Sequence, residues 1–375
     1  MNPSADIHTP RKVYVELTTK CNLDCEMCIR HSWQQPGGSM SRSTFQAILQ
    51  QLTEWPHIDT VHFGGYGEPL VHPDIHEFLD QAKRQALRTE LVTNGTLLDP
   101  QTIERLVDLP LDKLIVSVDG ISEPSRRHLH PGSFAAFSTA LLQLYERKRA
   151  LHSPSPDVWL EFVATRKNIH ELPRLKARAT VLGFSGILVT NLIPHSPELT
   201  DQILYQRWST LEHQSAAPSP YNPCVDLPLL DACPPASNAV GRLRDASTHL
   251  RLNGADISGG PPRCPFITQG RFAIRFDGRV SPCLPLLHTH TYYLPGRSKD
   301  VIAFHLGNVS KGQLEEIWCS DVWSDFRERV QRFEFSACLS CGGCDLRESN
   351  RRDCTCDVAP RCSECLWAMG LVQCP

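Results

Sequence analysis

The order of strand-like and helix-like segments is the feature that most constrains the fold of this chain. Six short apolar, β-branched runs alternate with amphipathic stretches over its first half. Parallel strands need helix-sized crossovers, and their buried faces favour such apolar runs. We therefore predict an α/β fold, a partial (β/α)6 barrel of the TIM type. The predicted strands are 13–19, 60–65, 89–93, 113–119, 157–165 and 186–193, and the predicted helices are 43–54, 74–87, 100–108, 133–149 and 168–182.

The composition changes after this barrel. Residues 214–263 are rich in Pro, Ser, Ala and Gly, which predicts a linker or cover segment with little structure of its own. In the remainder, 271–277 is a predicted strand and 312–333 a predicted helix, but the apolar periodicity is too weak for a large core. Metal clusters would have to replace that core. The predicted domains are thus a barrel at 1–213, a linker at 214–263 and a cysteine-rich domain at 264–375.

The sixteen cysteines of the 375 residues are unevenly placed, with three at 21–28 and thirteen from Cys224 to Cys374. A disulfide framework would not leave the whole middle of the chain uncovered, so metal ligation is the better interpretation. Residues 1–10 lack the pattern of a secretion signal, and no apolar run is long enough to span a membrane. The net charge of −3 gives no reason to expect a nucleic-acid or membrane partner. We predict a cytoplasmic protein.

Cys21, Cys25 and Cys28 form a Cys-x-x-x-Cys-x-x-Cys loop directly after the first predicted strand. Three thiolates on one tight loop can hold three irons of a [4Fe–4S] cluster and leave the fourth iron open. An open iron can bind a small molecule, whereas a cluster with four cysteine ligands mostly carries electrons. Zinc is the alternative, although zinc sites usually repeat Cys-x-x-Cys or include His.

Further polar and glycine-rich elements follow the other predicted strands. Singly each is weak, since Gly-Gly and Asn-Gly pairs are common in turns. The active site of a parallel barrel lies at the C-terminal ends of its strands, and all these elements fall there, which makes them site candidates together. They are Gly64-Gly65-Tyr66-Gly67-Glu68-Pro69, Asn94-Gly95, Ser117 with Asp119, and Thr190-Asn191.

On these motifs the chain resembles the radical S-adenosylmethionine (SAM) superfamily over about residues 11–215. The resemblance implies that Cys21, Cys25 and Cys28 ligate a [4Fe–4S] cluster whose open iron is chelated by SAM. It also implies a reductive cleavage of SAM to a radical that attacks a C–H bond, in a pocket that excludes water. The implied SAM-binding residues are Gly64, Gly65, Gly67, Glu68 and Pro69 near the amino group, Asn94 and Ser117 near the carboxylate or ribose, and Asn191 near the adenine.

The cysteine-rich region resembles the SPASM domain, an auxiliary-cluster module of radical SAM enzymes. The similarity rests on Cys264 and on Gly278 placed before Cys283; the later spacing, Cys338-x-x-Cys341-x-x-Cys344, departs from the usual pattern. The resemblance implies one or two auxiliary [4Fe–4S] clusters, and zinc at Cys362 and Cys365 remains an alternative. The sequence does not tell which cysteines share a cluster. The predicted auxiliary ligands are Cys264, Cys283, Cys338, Cys341, Cys344, Cys354, Cys362, Cys365 and Cys374, with Cys224, Cys233, Cys319 and Cys356 left over.

Residues 28–33, 338–350, 353–354 and 362–375 resemble one branch of this superfamily, the maturases that accompany tungsten-containing aldehyde oxidoreductases. The resemblance implies that such an oxidoreductase or its cofactor is modified, with ferredoxin or flavodoxin as electron donor. A SPASM enzyme that forms thioether or carbon–carbon links in a precursor peptide is the alternative. An iron–sulfur electron-transfer protein is the alternative from another class. His31 and Trp33 could face the substrate or have a packing role, and no catalytic base is evident.

Overall fold

In the computed structural model, the described residues are 7–109, 111–120, 133–206, 224–227, 233, 236, 238–239, 249–252, 255–256, 263–336, 338, 344–355 and 358–375. Six parallel strands in the order β1 to β6 build a curved sheet, as predicted. They are β1 (Lys12–Val15), β2 (Thr60–Phe63), β3 (Arg88–Thr93), β4 (Lys113–Val118), β5 (Asp157–Ala164) and β6 (Gly186–Asn191). The intervening helices are α1 (Arg42–Glu54), α2 (Ile75–Arg84), α3 (Pro100–Asp108), α4 (Ser133–Ala150) and α5 (Leu172–Val181).

Local sequence signals explain where the crossover helices begin. The Ser41 side chain accepts a hydrogen bond from the Thr44 amide at the start of α1, and Asp99 does the same for Thr102 at the start of α3. Pro100 occupies the first turn of α3, where its missing N–H costs nothing. These caps place each helix directly after the loop that leaves the preceding strand.

The two faces of the sheet differ in polarity because successive side chains of a strand alternate. Val13, Val15 and Phe63 belong to the face that packs into the hydrophobic core. The opposite face carries Tyr14, His62 and Glu90, which lie side by side in the strand register, and farther along Ser117 opposite Glu161. This polar inner face lines the space that we call the lumen.

The cysteine-rich region extends the barrel sheet, which the sequence did not predict. The strand β10 (Arg271–Ile274) pairs in parallel with β1, and β11 (Arg279–Ser281) and β14 (Gly307–Asn308) continue the sheet in antiparallel pairing. The full order is β14-β11-β10-β1-β2-β3-β4-β5-β6. The division into domains at 213 and 263 stays a prediction, but the two described regions share one sheet.

The remaining elements are short. Within the predicted linker, β7 (Cys224–Leu227), β8 (His249–Leu252) and β9 (Ala255–Asp256) form a small sheet; most of that segment lies outside the described residues. The other elements are α6 (Pro265–Thr268), the hairpin β12 (His290–Leu294) and β13 (Arg297–Val301), α7 (Leu314–Cys319) and α8 (Asp321–Arg332).

Two expectations about the cysteine-rich region are wrong. The predicted helix 312–333 is two helices, because Ser320 has an extended backbone with φ −62° and ψ 147°. The expected lack of a large core is also wrong, since Phe272, Trp318 and Trp323 are buried in contact with one another and belong to the hydrophobic core. These aromatic residues come from separate short elements, so no periodic pattern in the sequence predicts their burial.

Among the described residues, no helix is long and apolar enough to cross a membrane.

Candidate active site

The cysteine loop lies where β1 leaves the sheet, at the C-terminal ends of the strands. One residue, Arg30, holds the loop together: its guanidinium donates to the carbonyl oxygens of Thr19 at 2.9 Å and Leu23 at 3.2 Å. The same side chain donates from Nε to Cys28 Sγ at 3.2 Å, and the Leu23 amide donates to Cys21 Sγ at 3.4 Å. N–H groups aimed at sulfur stabilise thiolates, so this loop is built to present charged sulfur ligands.

The thiols of this loop need such support. The pKa of Cys25 is raised to about 12, mainly by burial and in addition by Asp119 and the neighbouring thiols. Burial also raises the pKa of Cys21. Among the described residues, no three His, Cys, Asp or Glu side chains are grouped tightly enough to hold a single metal ion. A cubane cluster is wider than one ion, and three partly buried cysteines, of which Cys21 and Cys28 accept N–H donors on their sulfurs, fit such a group.

The Gly64–Pro69 segment reaches the cysteine loop by a close backbone approach. A Cβ atom on Gly67 would lie 2.1 Å from the Thr18 oxygen and 2.7 Å from the Lys20 oxygen, so only glycine fits there. A Cβ on Gly65 would likewise lie 2.8 Å from the Glu16 side chain. The Glu68 amide donates to Lys20 O at 2.9 Å, which ties this segment to the residue before Cys21.

The Glu68 carboxylate organises the same corner of the site from inside. It is buried and accepts hydrogen bonds from the Asn94 amide at 2.7 Å, the Leu70 amide at 3.0 Å and the Thr93 hydroxyl at 2.8 Å. Burial raises its pKa, and these three bonds oppose that shift. Pro69 opens the turn that follows. Glu68 therefore holds the ends of β2 and β3 together.

The other predicted SAM-binding residues lie in different surroundings. Asn94 is beside the cysteine loop: its Nδ2 donates to Asn22 at 3.0 Å and lies 3.7 Å from Cys21 Sγ. Ser117 faces the lumen and donates to Glu161 at 3.3 Å. Asn191 donates to Leu371 O at 2.7 Å, so its side chain is engaged by the C-terminal segment. The SAM contacts of all these residues stay predictions.

Four of the later cysteines come together in one cavity. Cys264, Cys283, Cys362 and Cys365 all line it. Burial is the largest cause of their raised pKa values, and neighbouring thiols of the group raise the pKa of Cys264, Cys283 and Cys362 in addition. The sequence could not reveal this grouping because Cys264 and Cys362 are 98 residues apart in the chain. Four thiols that line one cavity have the number of ligands that a second cluster requires.

The other predicted auxiliary ligands lie elsewhere. Cys338 is buried and accepts a hydrogen bond from Ser363, whereas Cys344 and Cys354 are exposed, the latter 3.0 Å from the Ser336 hydroxyl. Cys374 accepts a hydrogen bond from Trp367 Nε1 at 3.0 Å and lies in the lumen near Glu161. Cys341 and Cys356 lie outside the described residues, and Cys233 and Cys319 are exposed.

A buried polar junction that the sequence analysis missed joins the site to the cysteine-rich region. Glu16 and His288 form a pair at 2.7 Å with both side chains buried. Trp33 stacks on the His288 ring at 4.1 Å, and the Tyr66 hydroxyl donates to Leu284 O at 3.1 Å. The only sequence signal was Glu16 itself, a lone carboxylate inside an apolar strand-like run.

Comparison with known proteins identifies the class of protein that this fold and site define. Residues 15–152 match the family model of the radical SAM superfamily, and residues 264–345 match that of the SPASM iron–sulfur cluster-binding domain. The chain is thus a radical SAM enzyme with a C-terminal SPASM domain. The enzyme prediction is confirmed over the alternative of an electron carrier. The predicted cofactors are also confirmed at this level: a [4Fe–4S] cluster, SAM and auxiliary iron–sulfur clusters.

The particular relatives extend over most of the chain. It is 29% identical over 368 residues, 97% of this chain and 96% of the relative, to the tungsten-containing aldehyde ferredoxin oxidoreductase cofactor-modifying protein of Pyrococcus furiosus. It is 28% identical to a mycofactocin maturase of Mycobacterium tuberculosis, over 88% of this chain and 75% of the relative. A PqqA peptide cyclase of Granulibacter bethesdensis is 24% identical, over 94% of this chain and 84% of the relative.

Solved structures share the fold. Streptococcus suis SuiB bound to S-adenosylmethionine aligns with a TM-score of 0.56 at 14% identity, covering 89% of this chain and 71% of that chain. Native anSMEcpe with bound AdoMet aligns with a TM-score of 0.56 at 14% identity, covering 94% of each. The α/β fold with a partial barrel and a SPASM-like domain is therefore confirmed.

Proposed function

We propose that this enzyme is a maturase that modifies a tungsten-containing oxidoreductase or its cofactor by radical SAM chemistry. The observation that carries the proposal is the similarity, over almost the full length of both chains, to the cofactor-modifying protein of Pyrococcus furiosus. We further propose a cytoplasmic enzyme that receives electrons from a ferredoxin or flavodoxin and binds neither nucleic acid nor membrane.

Cys21, Cys25 and Cys28 would hold the SAM-binding cluster, and Cys264, Cys283, Cys362 and Cys365 an auxiliary one. When bound, a cluster with one iron free of cysteine allows SAM to be chelated and cleaved reductively to a 5′-deoxyadenosyl radical that takes a hydrogen atom from the substrate.

The chain's own residues would prepare this site. Arg30 holds the cysteine loop in shape, and the Gly67 backbone brings the Gly64–Pro69 segment against that loop. Glu68 fixes the end of this segment to the Asn94 amide, so both predicted SAM-binding elements are positioned by one carboxylate. The lumen below them, lined by Ser117 and Glu161, would receive the group to be modified while water is excluded.

The test is 5′-deoxyadenosine formation by anaerobically reconstituted protein, with and without an unmatured tungsten oxidoreductase. Strong stimulation, with a mass change on that partner or its cofactor, is the expected result. A Cys25→Ala variant is the control and should form none. Cleavage that the oxidoreductase does not change would refute the maturase role.

Modification of a precursor peptide is the second candidate. It is favoured by the similarity to the mycofactocin maturase and the PqqA peptide cyclase, which extends over most of this chain. The same assay separates the two, because a peptide-modifying enzyme would be stimulated by a short precursor peptide and not by the tungsten oxidoreductase.

A further inference from the structure

The segment Leu371–Pro375, which we call the tail, enters the lumen from the edge strand β6. Its first contacts are with the end of that strand: Asn191 Nδ2 donates to Leu371 O at 2.7 Å, and the Gln373 amide donates to Thr190 Oγ1 at 3.0 Å. Since β6 has no strand beyond it in the sheet order of the described residues, this is the open side of the partial barrel. The tail thus runs along the edge where the barrel is incomplete.

The other end of the tail is held on the opposite wall of the lumen. Lys12 Nζ donates to Pro375 O at 3.1 Å, and the Tyr14 hydroxyl donates to the same oxygen. Arg271 Nη1 in turn donates to Tyr14 Oη at 2.9 Å. We call Lys12, Tyr14 and Arg271 the cradle; they stand on β1 and the adjacent β10, so the tail crosses from β6 to the far side.

The charges around the cradle explain why it holds a carbonyl oxygen. Glu90 pairs with Lys12 at 2.5 Å and accepts a hydrogen bond from His62 Nδ1 at 2.8 Å. Burial lowers the pKa of His62 to about 4, which leaves that ring neutral at pH 7. Of the two cations of the cradle, Lys12 pairs with the carboxylate of Glu90, and Arg271 donates to the Tyr14 hydroxyl. Buried charge needs polar partners, and the Pro375 oxygen supplies one.

Between these two anchor points the tail places Cys374 inside the lumen. Its sulfur accepts a hydrogen bond from Trp367 Nε1 at 3.0 Å, which fixes the side chain from the SPASM domain. The thiol is close enough to Glu161 for that carboxylate to raise its pKa, and Glu161 lies on β5 opposite Ser117 of β4. The tail therefore shares the lumen with the polar side chains that lie below the cysteine loop.

We propose that the tail is the specificity-determining wall of the substrate chamber: it closes the open side of the barrel and limits the depth to which a substrate group can enter. The cradle residues are positioning residues that act through the tail. The role of the tail as a wall rests on the proposed function, because it assumes that the lumen holds the substrate during radical chemistry. The docking of the tail does not depend on the proposed function and can be measured separately.

The first measurement is hydrogen–deuterium exchange of the tail amides in the reconstituted protein. Lys12→Met removes the charged donor while keeping the apolar stem, and Tyr14→Phe removes the hydroxyl with less disturbance of the fold. Loss of a hydrogen bond from a charged donor should speed exchange roughly tenfold. The matched control is Lys113→Met, which removes a lysine of the same sheet face that lies over the Trp159 ring at 4.3 Å instead. Equal exchange in all four proteins would overturn the docking.

The second measurement is the ratio of 5′-deoxyadenosine formed to partner modified, compared between the full chain and a variant without residues 371–375. Loss of a chamber wall should raise this ratio several-fold while SAM is still cleaved, because the radical is no longer confined with its target. An unchanged ratio would overturn the wall role even if the tail is docked. Absence of 5′-deoxyadenosine from every protein would instead refute the proposed function and leave the exchange result intact.

Discussion

Replacing Glu68 with Gln tests the idea that one carboxylate holds the predicted SAM-binding elements together. In the structure Oε1 accepts from the Leu70 amide and the Thr93 hydroxyl, and Oε2 accepts from the Asn94 amide. A glutamine can keep two of these bonds with its oxygen, but its NH₂ group must then face the Asn94 N–H. One buried donor loses its acceptor, and the two remaining bonds lose their charge assistance.

We expect the lost acceptor and the weaker hydrogen bonds to lower the free energy of unfolding by about 3 kcal/mol. This figure already includes the opposing gain, since a neutral glutamine is less costly to bury than a carboxylate. Chemical denaturation of the reconstituted protein measures it, and anaerobic equilibrium binding should show weaker SAM affinity. Glu104→Gln is the matched control: this exposed carboxylate pairs with Arg147 at the surface, and its loss should cost less than about 1 kcal/mol. If Glu68→Gln is no more destabilising than the control and binds SAM equally well, the reasoning is refuted.

Three further predictions follow from the same geometry. Gly67→Ala should abolish SAM binding, measured by equilibrium dialysis, because its Cβ would collide with backbone oxygens that cannot move away; normal binding would contradict the close approach. Cys283→Ala should lose about four irons per chain relative to Cys319→Ala, by iron analysis after reconstitution, and equal iron would exclude the proposed four-cysteine cluster. Burial raises the pKa of Glu161 to about 7, so its cost to stability is absent at low pH and develops as the pH rises toward 7. Between about pH 4.5 and 7 the wild type should therefore lose up to about 3 kcal/mol of unfolding free energy relative to Glu161→Gln, and parallel pH curves would contradict this.

The barrel could be predicted from the sequence because its signals are local. Each strand is a short apolar run, and α1 and α3 begin at the side-chain caps Ser41 and Asp99. The predicted strand bounds differ from the observed ones by at most four residues, mainly because the apolar runs of the sequence continue into the loops that carry the site. The cysteine loop was equally visible, since Cys21, Cys25 and Cys28 lie within eight consecutive residues.

The grouping of distant side chains could not be predicted in this way. Nothing local to Cys264 and Cys362 states that they share a cavity. The pairing of β10 with β1 is similarly hidden, because Arg271 and Lys12 lie far apart in the chain and become neighbours only in the folded sheet. The resemblance to the SPASM domain also suggested Cys374 as an auxiliary ligand, while the structure places it in the lumen beside Trp367.

The contact between the barrel and the cysteine-rich region also could not be predicted from the sequence, and it bears on function. Glu16 and His288 are 272 residues apart, yet they form one buried pair at the exit of β1. The same carboxylate accepts from the Tyr66 amide at 3.4 Å, within the segment predicted to bind SAM. Breaking this pair would leave a buried polar group without its hydrogen-bond partner, which is costly, so the SPASM domain cannot shift far without disturbing that segment. The position of the auxiliary domain and the shape of the predicted SAM site are thus coupled through Glu16 and through the hydrogen bond from Tyr66 to Leu284.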